Sequence, residues 1–370
     1  MSETPIFDLE QDPPLAAPRP RSELCGLVFC ICWGALVGIC IKSHSFLTNA
    51  ALWLPLVYGL LAIHELGHLM VGKIMGMRLD GFAVGGLCVY RAGTRWRCRF
   101  DRYTAPLGGF VICSPGERPH DRMRLAWFFA GGPIASIVFG AASGTAVLLS
   151  GGYWNWIASA FWINLSFTLT SLVYSSGLRL SDGAGLKMFL SNAEQSCAYI
   201  ASTQLSQEND RGVPPCDWNA GLFDQVMKTA PSMPYYIHSR LLAYYRYRAC
   251  GDDATALRHL ETALVTPAVM ANPVRRACFL EAAFAGAAVR RKPESAKVWR
   301  DRAYQLGKLP QCPAVEAVIA FAEERYSDAL ALFAEAHAQV DPQQLDSGMA
   351  HWCREVWSGY ELQCRTAVHS

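Results

Sequence analysis

The sequence predicts an α-helical polytopic membrane protein with a small interfacial β element and a C-terminal all-α domain. Three observations lead there. Charged residues are only 17% of the 370 and hydrophobic residues 52%, against about 25% charged in soluble domains. The apolar residues gather in long charge-free runs in the first half of the chain. Short amphipathic helical patterns fill the second half.

The formal net charge is +2 and the mean hydropathy +0.14. That balance excludes a general nucleic-acid binder and a disordered chain. The 14 cysteines are scattered and contain no C-x-x-C pair. They read as free thiols, so the soluble part faces a reducing cytosol.

Residues 1–23 form a cytosolic tail. Leu24 to Ile41 runs 18 residues without a charge, and Ser43 to His64 another 22. Acidic residues precede the first run and no A-x-A site follows it, so a signal anchor fits better than a cleaved signal peptide. Leu125 to Leu178 holds no Asp, Glu, Lys or Arg over 54 residues. A bilayer core takes about 20 apolar residues per helix, so this run divides into two spans. Gly151-Gly152-Tyr153-Trp154-Asn155-Trp156 is the turn, with aromatic residues suited to an interface. Four transmembrane helices follow, near 24–41, 46–72, 125–149 and 156–178.

Lysine and arginine set the orientation. The segment from Lys73 to Arg124 carries ten basic residues, Arg19 and Arg21 precede the first span, and the opposite side has only Lys42. The N-terminus, this loop and the C-terminus are therefore expected in the cytosol. Within the loop, residues 79–113 mix glycine with β-formers, and Arg95-Trp96-Arg97-Cys98-Arg99-Phe100 alternates with period two. That predicts a small sheet at the interface, arginines toward lipid phosphates and Trp/Cys/Phe toward apolar surface. The alternative is a basic loop that enforces topology.

Residues 184–234 read as a surface helix and a breaker-rich linker. From 235 to 370 the pattern is one of helical pairs. Ala256, Ala296 and Ala329 sit in three similar segments spaced 40 and 33 residues apart. The array resembles degenerate tetratricopeptide repeats; an ordinary helical bundle is the alternative. This part offers a docking surface for a cytosolic protein.

The chemistry lies in His64-Glu65-Leu66-Gly67-His68, an H-E-x-x-H motif inside the second span. On a helix, i and i+4 share a face, so both imidazoles can meet one Zn2+. Glu65 stands beside them, able to take a proton from water. Buried in a membrane helix, such residues are costly unless they are paired or ligate a metal. A third ligand is needed. Asp182 in Ser181-Asp182-Gly183 is the first choice and Asp80 the rival. Asp182 reaches the depth of His68 only if the fourth span breaks, and Ser175-Ser176-Gly177 offers the place.

His64–His68, Gly131-Gly132-Pro133 in the third span and Asp182-Gly183 after the fourth, in this order, resemble the site-2 protease family of intramembrane zinc metalloproteases. The resemblance covers about residues 45–185. It implies one zinc ion held by His64, His68 and Asp182, with Glu65 as catalytic base. It implies cleavage of a transmembrane segment in a partner protein, and a membrane-associated sheet that pairs with the unwound substrate. The compact four-span core and short loops suggest a bacterial inner membrane. Two departures stand out. Tyr174 and Gly177 replace an Asn–x–x–Pro often found before the Asp-Gly, and Ser136 stands where an Asn is common. They leave transition-state stabilisation unassigned and keep open a proteolytically inactive membrane adaptor. Asn164 reads as a satisfied interhelical amide.

Overall fold

The computed structural model describes residues 46–92, 95–100, 108–114, 122–150, 155–173, 181–233, 235–266, 272–306, 311–340 and 347–369. It is mostly helical with one small sheet. The chain divides into two compact units, one within Arg19–Ser196 and one within Cys197–Ser370.

The first unit starts with helix α1 (Phe46–Ile74). Gly76 ends it in the left-handed region at φ 72°. The Gly76 N–H then donates to Lys73 O at 3.0 Å and the Met77 N–H to Gly72 O at 2.8 Å, a Schellman turn that only glycine adopts without strain. Arg124 Nε donates to Met75 O at 2.9 Å, a cation at the negative end of α1.

The turn feeds directly into a four-stranded antiparallel sheet: β1 (Arg78–Val84), β2 (Leu87–Ala92), β3 (Arg95–Phe100) and β4 (Gly109–Ser114). The strand order is β3-β2-β1-β4. Ala83 and Cys88 face each other on the buried side, and β1 and β4 pack on α1. Leu87 pairs with Phe100 on the opposite side. There Leu87, Trp96 and Phe100 are 53%, 50% and 79% exposed. An apolar sheet face is left uncovered within the described residues.

Helices α2 (Arg122–Leu149), α3 (Asn155–Val173) and α4 (Asp182–Ser191) complete the unit. A Cβ on Gly67 would lie 2.4 Å from Gly131 O and 2.6 Å from Ala135 Cβ, so α1 and α2 touch backbone to backbone. A Cβ on Gly183 would meet Leu172 O at 1.8 Å, and one on Gly185 the Phe129 ring at 2.4 Å. The start of α4 is thereby wedged between α3 and α2. Arg122 donates to Phe189 O at 2.9 Å and holds its other end.

Among the described residues, Pro55–Ile74 and Arg122–Leu149 are long and apolar enough to cross a bilayer. The apolar part of α3, Ile157–Leu172, is shorter. The expected first span, 24–41, and the expected break at 175–177 lie outside the described residues. The four-span expectation thus meets two clear candidates here.

In the second unit, α5 (Ala193–Asp210), in which the division falls, precedes a 3-10 turn (Pro215–Asp217) and α6 (Ala220–Met227). Leu205, Trp218, Phe223 and Val226 form a small core there with Leu242. Three helical hairpins follow: α7 (Tyr236–Ala249) with α8 (Asp253–Val265), α9 (Asn272–Ala288) with α10 (Pro293–Gln305), and α11 (Pro313–Ala322) with α12 (Tyr326–Gln339). Each hairpin turns through a left-handed residue: Gly251 at φ 82°, Arg291 at 56° and Glu324 at 63°. Five residues after each comes Ala256, Ala296 or Ala329, at most 1% exposed. The alanine spacing seen in the sequence is therefore the spacing of the turns. Helix α13 (Gly348–His369) runs across all three hairpins. Trp352 meets Tyr245, while Tyr360 meets Phe284, Phe321 and Phe333.

The ten described cysteines are free. Ala296 is fully buried where α9 and α10 approach. Ala296→Leu should destabilise the protein by about 1–3 kcal/mol through overpacking. Val298→Ser, at an exposed position of the same helix, should stay within about 0.5 kcal/mol. Thermal unfolding followed by circular dichroism measures both.

Candidate metal centre

His64 and His68 project from one face of α1, one turn apart, with ring centroids 5.1 Å apart. His64, Glu65 and His68 are 7%, 6% and 6% exposed. Asp182 comes from the first turn of α4, where Ser181 caps the helix by accepting from the Ala184 N–H at 3.2 Å. The helix N-terminus favours a carboxylate at that position. Asp182 Oδ2 is 2.9 Å from His64 Nε2, and Oδ1 is 3.2 Å from His68 Nε2. One ligand atom from each of the three residues lies within 4.8 Å of the others.

The other ring nitrogens fix the chemistry of this cluster. His68 Nδ1 is 2.7 Å from Phe128 O, which can only accept, so Nδ1 carries a proton. His64 Nδ1 is 3.0 Å from Ser136 Oγ, and the same tautomer suits it. Each neutral ring then points an Nε2 lone pair at a carboxylate oxygen. Lone pairs do not attract one another, so a cation or a proton must lie between them. Two imidazole nitrogens and one carboxylate oxygen around a common point form a donor set for zinc, with one position left over. The residues fit the ion.

Space at the site is set by glycines. A Cβ on Gly132 would lie 2.3 Å from His68 Nε2 and 2.6 Å from His64 Nε2. The adjacent Pro133 has no N–H to give the preceding turn of α2, next to the Phe128 carbonyl that serves His68. A Cβ on Gly109 would lie 2.6 Å from Glu65 Oε1. Strand β4 therefore begins directly against the Glu65 carboxylate.

The structure brings His64, His68 and Asp182 together. Asp80 is elsewhere: it lies in β1 and accepts from Arg78 Nε at 2.9 Å. In the sequence Gly132 entered only as part of the Gly131-Gly132-Pro133 match and Ser136 only as a departure from the family pattern, while Phe128 and Gly109 were not singled out. A signal for the helical pair Gly132 and Ser136 was present. Gly132, Ser136, Gly140 and Gly144 recur every four residues, the small-residue row of a close helix contact.

A family model described as Peptidase family M50 matches residues 53–341, from within α1 to the end of α12. No curated protein and no solved structure matches the chain. Detergent-purified wild type should contain one zinc per chain, measured by atomic emission. Asp182→Ala should lose it and Asp80→Ala keep it. Gly183→Ala, by pushing α4 off α3, should weaken binding without removing any ligand.

Proposed function

The chain belongs to peptidase family M50, the site-2 protease family of membrane metalloproteases, and on that premise we propose that it hydrolyses a peptide bond in or near a transmembrane segment of a partner protein. One observation carries the reading. An N,N,O donor set, with both imidazoles buried and the carboxylate partly buried, lies beside a buried glutamate, and that glutamate abuts the start of an edge strand.

His64, His68 and Asp182 would hold the zinc, and Glu65 would be the catalytic base. Bound zinc supplies Lewis acidity, which makes a water acidic near neutral pH and polarises a carbonyl. Glu65 takes the proton from the attacking water and passes it to the leaving amine nitrogen. Its burial keeps bulk water from competing for that proton.

A helix hides its peptide bonds, so the substrate must unwind before it is cut. Unwound backbone in an apolar medium needs partners for its N–H and C=O groups. Among the described residues, strand β4 pairs with β1 and with no other strand. Its other edge can take an added strand, and its first residue lies at Glu65. The face with Leu87, Trp96 and Phe100, uncovered among the described residues, suits the interface of a lipid bilayer. Arginines 122 and 124 at the foot of α2 support that end as cytosolic. Both termini then lie in the cytosol, and a bacterial inner membrane is the proposed setting. The helical hairpins of the second unit would select substrate or bind a cytosolic regulator.

The competing reading is an inactive adaptor that uses the same membrane core to bind transmembrane partners. A panel of reconstituted single-span peptides decides between them. Glu65→Gln should lower cleavage about 10²–10⁴-fold with zinc content unchanged. Full activity in that variant would remove Glu65 from the mechanism. Zinc bound by wild type with no peptide cut would favour the adaptor.

A further inference from the structure

Three buried residues on α2 stand one turn apart: Gly132, Ser136 and Gly140. They form a single ridge, and each serves a different neighbour. Gly132 clears the two imidazoles. Ser136, fully buried, presents its hydroxyl 3.0 Å from His64 Nδ1. Gly140 makes room for Asn164 of α3, whose Nδ2 would lie 2.9 Å from a Cβ at that position. Asn164 uses the room to donate Nδ2–H to the Ser136 carbonyl at 2.6 Å.

Asn164 is 2% exposed, and its Oδ1 has no partner among the described residues. An amide kept between apolar helices with one acceptor unsatisfied costs stability. A leucine of similar size would avoid that cost. The donor half of the amide is the part with a partner, and that partner is the residue that touches His64.

Resting on the reading of His64 as a zinc ligand, we infer that Ser136 is the positioning residue for His64, and that Asn164 acts through Ser136. The hydroxyl accepts from Nδ1–H, so the ring keeps one tautomer and one plane, with Nε2 aimed at the common point. Partners of this kind tune a metal site as well as orient it. Asn164 fixes the turn of α2 that carries the hydroxyl. Neither residue touches the reacting atoms.

The test uses the full chain in detergent, stripped of metal and titrated with Zn2+ against a competing chelator. Co2+ then reports ligand geometry through its visible bands. Ser136→Ala should bind zinc about 10–100-fold more weakly, with shifted Co2+ bands. Asn164→Leu should weaken binding less and shift the bands the same way. The double variant should match Ser136→Ala alone, because one residue acts through the other. Wild-type affinity and spectrum in Ser136→Ala would overturn the positioning role. Independent, additive losses would overturn the link from Asn164. His64→Ala separates the two levels: metal lost there, with Ser136→Ala unaffected, leaves the zinc site standing and sinks only this inference. A wild type that takes up no metal sinks both. Should Ser136→Ala not fold, Asn164→Leu carries the test, and unchanged affinity in it overturns the inference.

Discussion

Two imidazoles and a carboxylate inside apolar helices are tolerable only if their polar atoms face one another or a metal. The first unit is organised by that requirement. His64 and His68 each use both ring nitrogens, and Asp182 reaches both rings. To bring Asp182 there, α4 must start hard against α3, which is why position 183 has no side chain. To bring α2 alongside, Gly67 and Gly131 must let backbones meet. Arg122 and Arg124 then close the ends of α4 and α1. The arginines that mark orientation in the sequence are thus also helix caps.

Much of this was legible in the residues. The i, i+4 histidines and the glutamate between them define a face of a helix before any coordinates exist. The sheet at 78–114 followed from period two and glycine breaks, and the hairpin spacing from three small alanines. What could not be read was lateral. Ser136 looked like a departure, because its partner lies 72 residues away on another helix. Asn164 looked fully satisfied, yet among the described residues only its donor half has a partner. Asp80 looked usable until its pairing with Arg78 was seen. Sequence periodicity tells which face a residue occupies, not which neighbour that face meets.

The second unit solves a different problem. Its hairpins bury alanines at their closest approach, so helices can stack with little side chain between them. That leaves a polar pair inside. Arg248 lies 4.0 Å from Glu281, and Tyr245 donates to the same glutamate at 2.9 Å. Burial pushes the Glu281 carboxyl up and Arg248 opposes it. A pair like this adds little net stability but penalises any packing that separates it. Helix α13 crosses directly above, with Trp352 over Arg248.

The contact between Gly109 and Glu65 has a consequence for specificity. A chain laid along β4 is held by its backbone, and backbone ladders do not distinguish side chains. What they do measure is length. Each residue advances the chain by about 3.4 Å, so the bond that reaches the carboxylate is fixed by how far the chain has been drawn in. On the proposed strand addition, such a device would work as a ruler. It would select a cleavage point by distance from the place where the substrate stops being helical, and it would tolerate almost any sequence there. Discrimination would then fall to the ease with which the incoming helix comes apart.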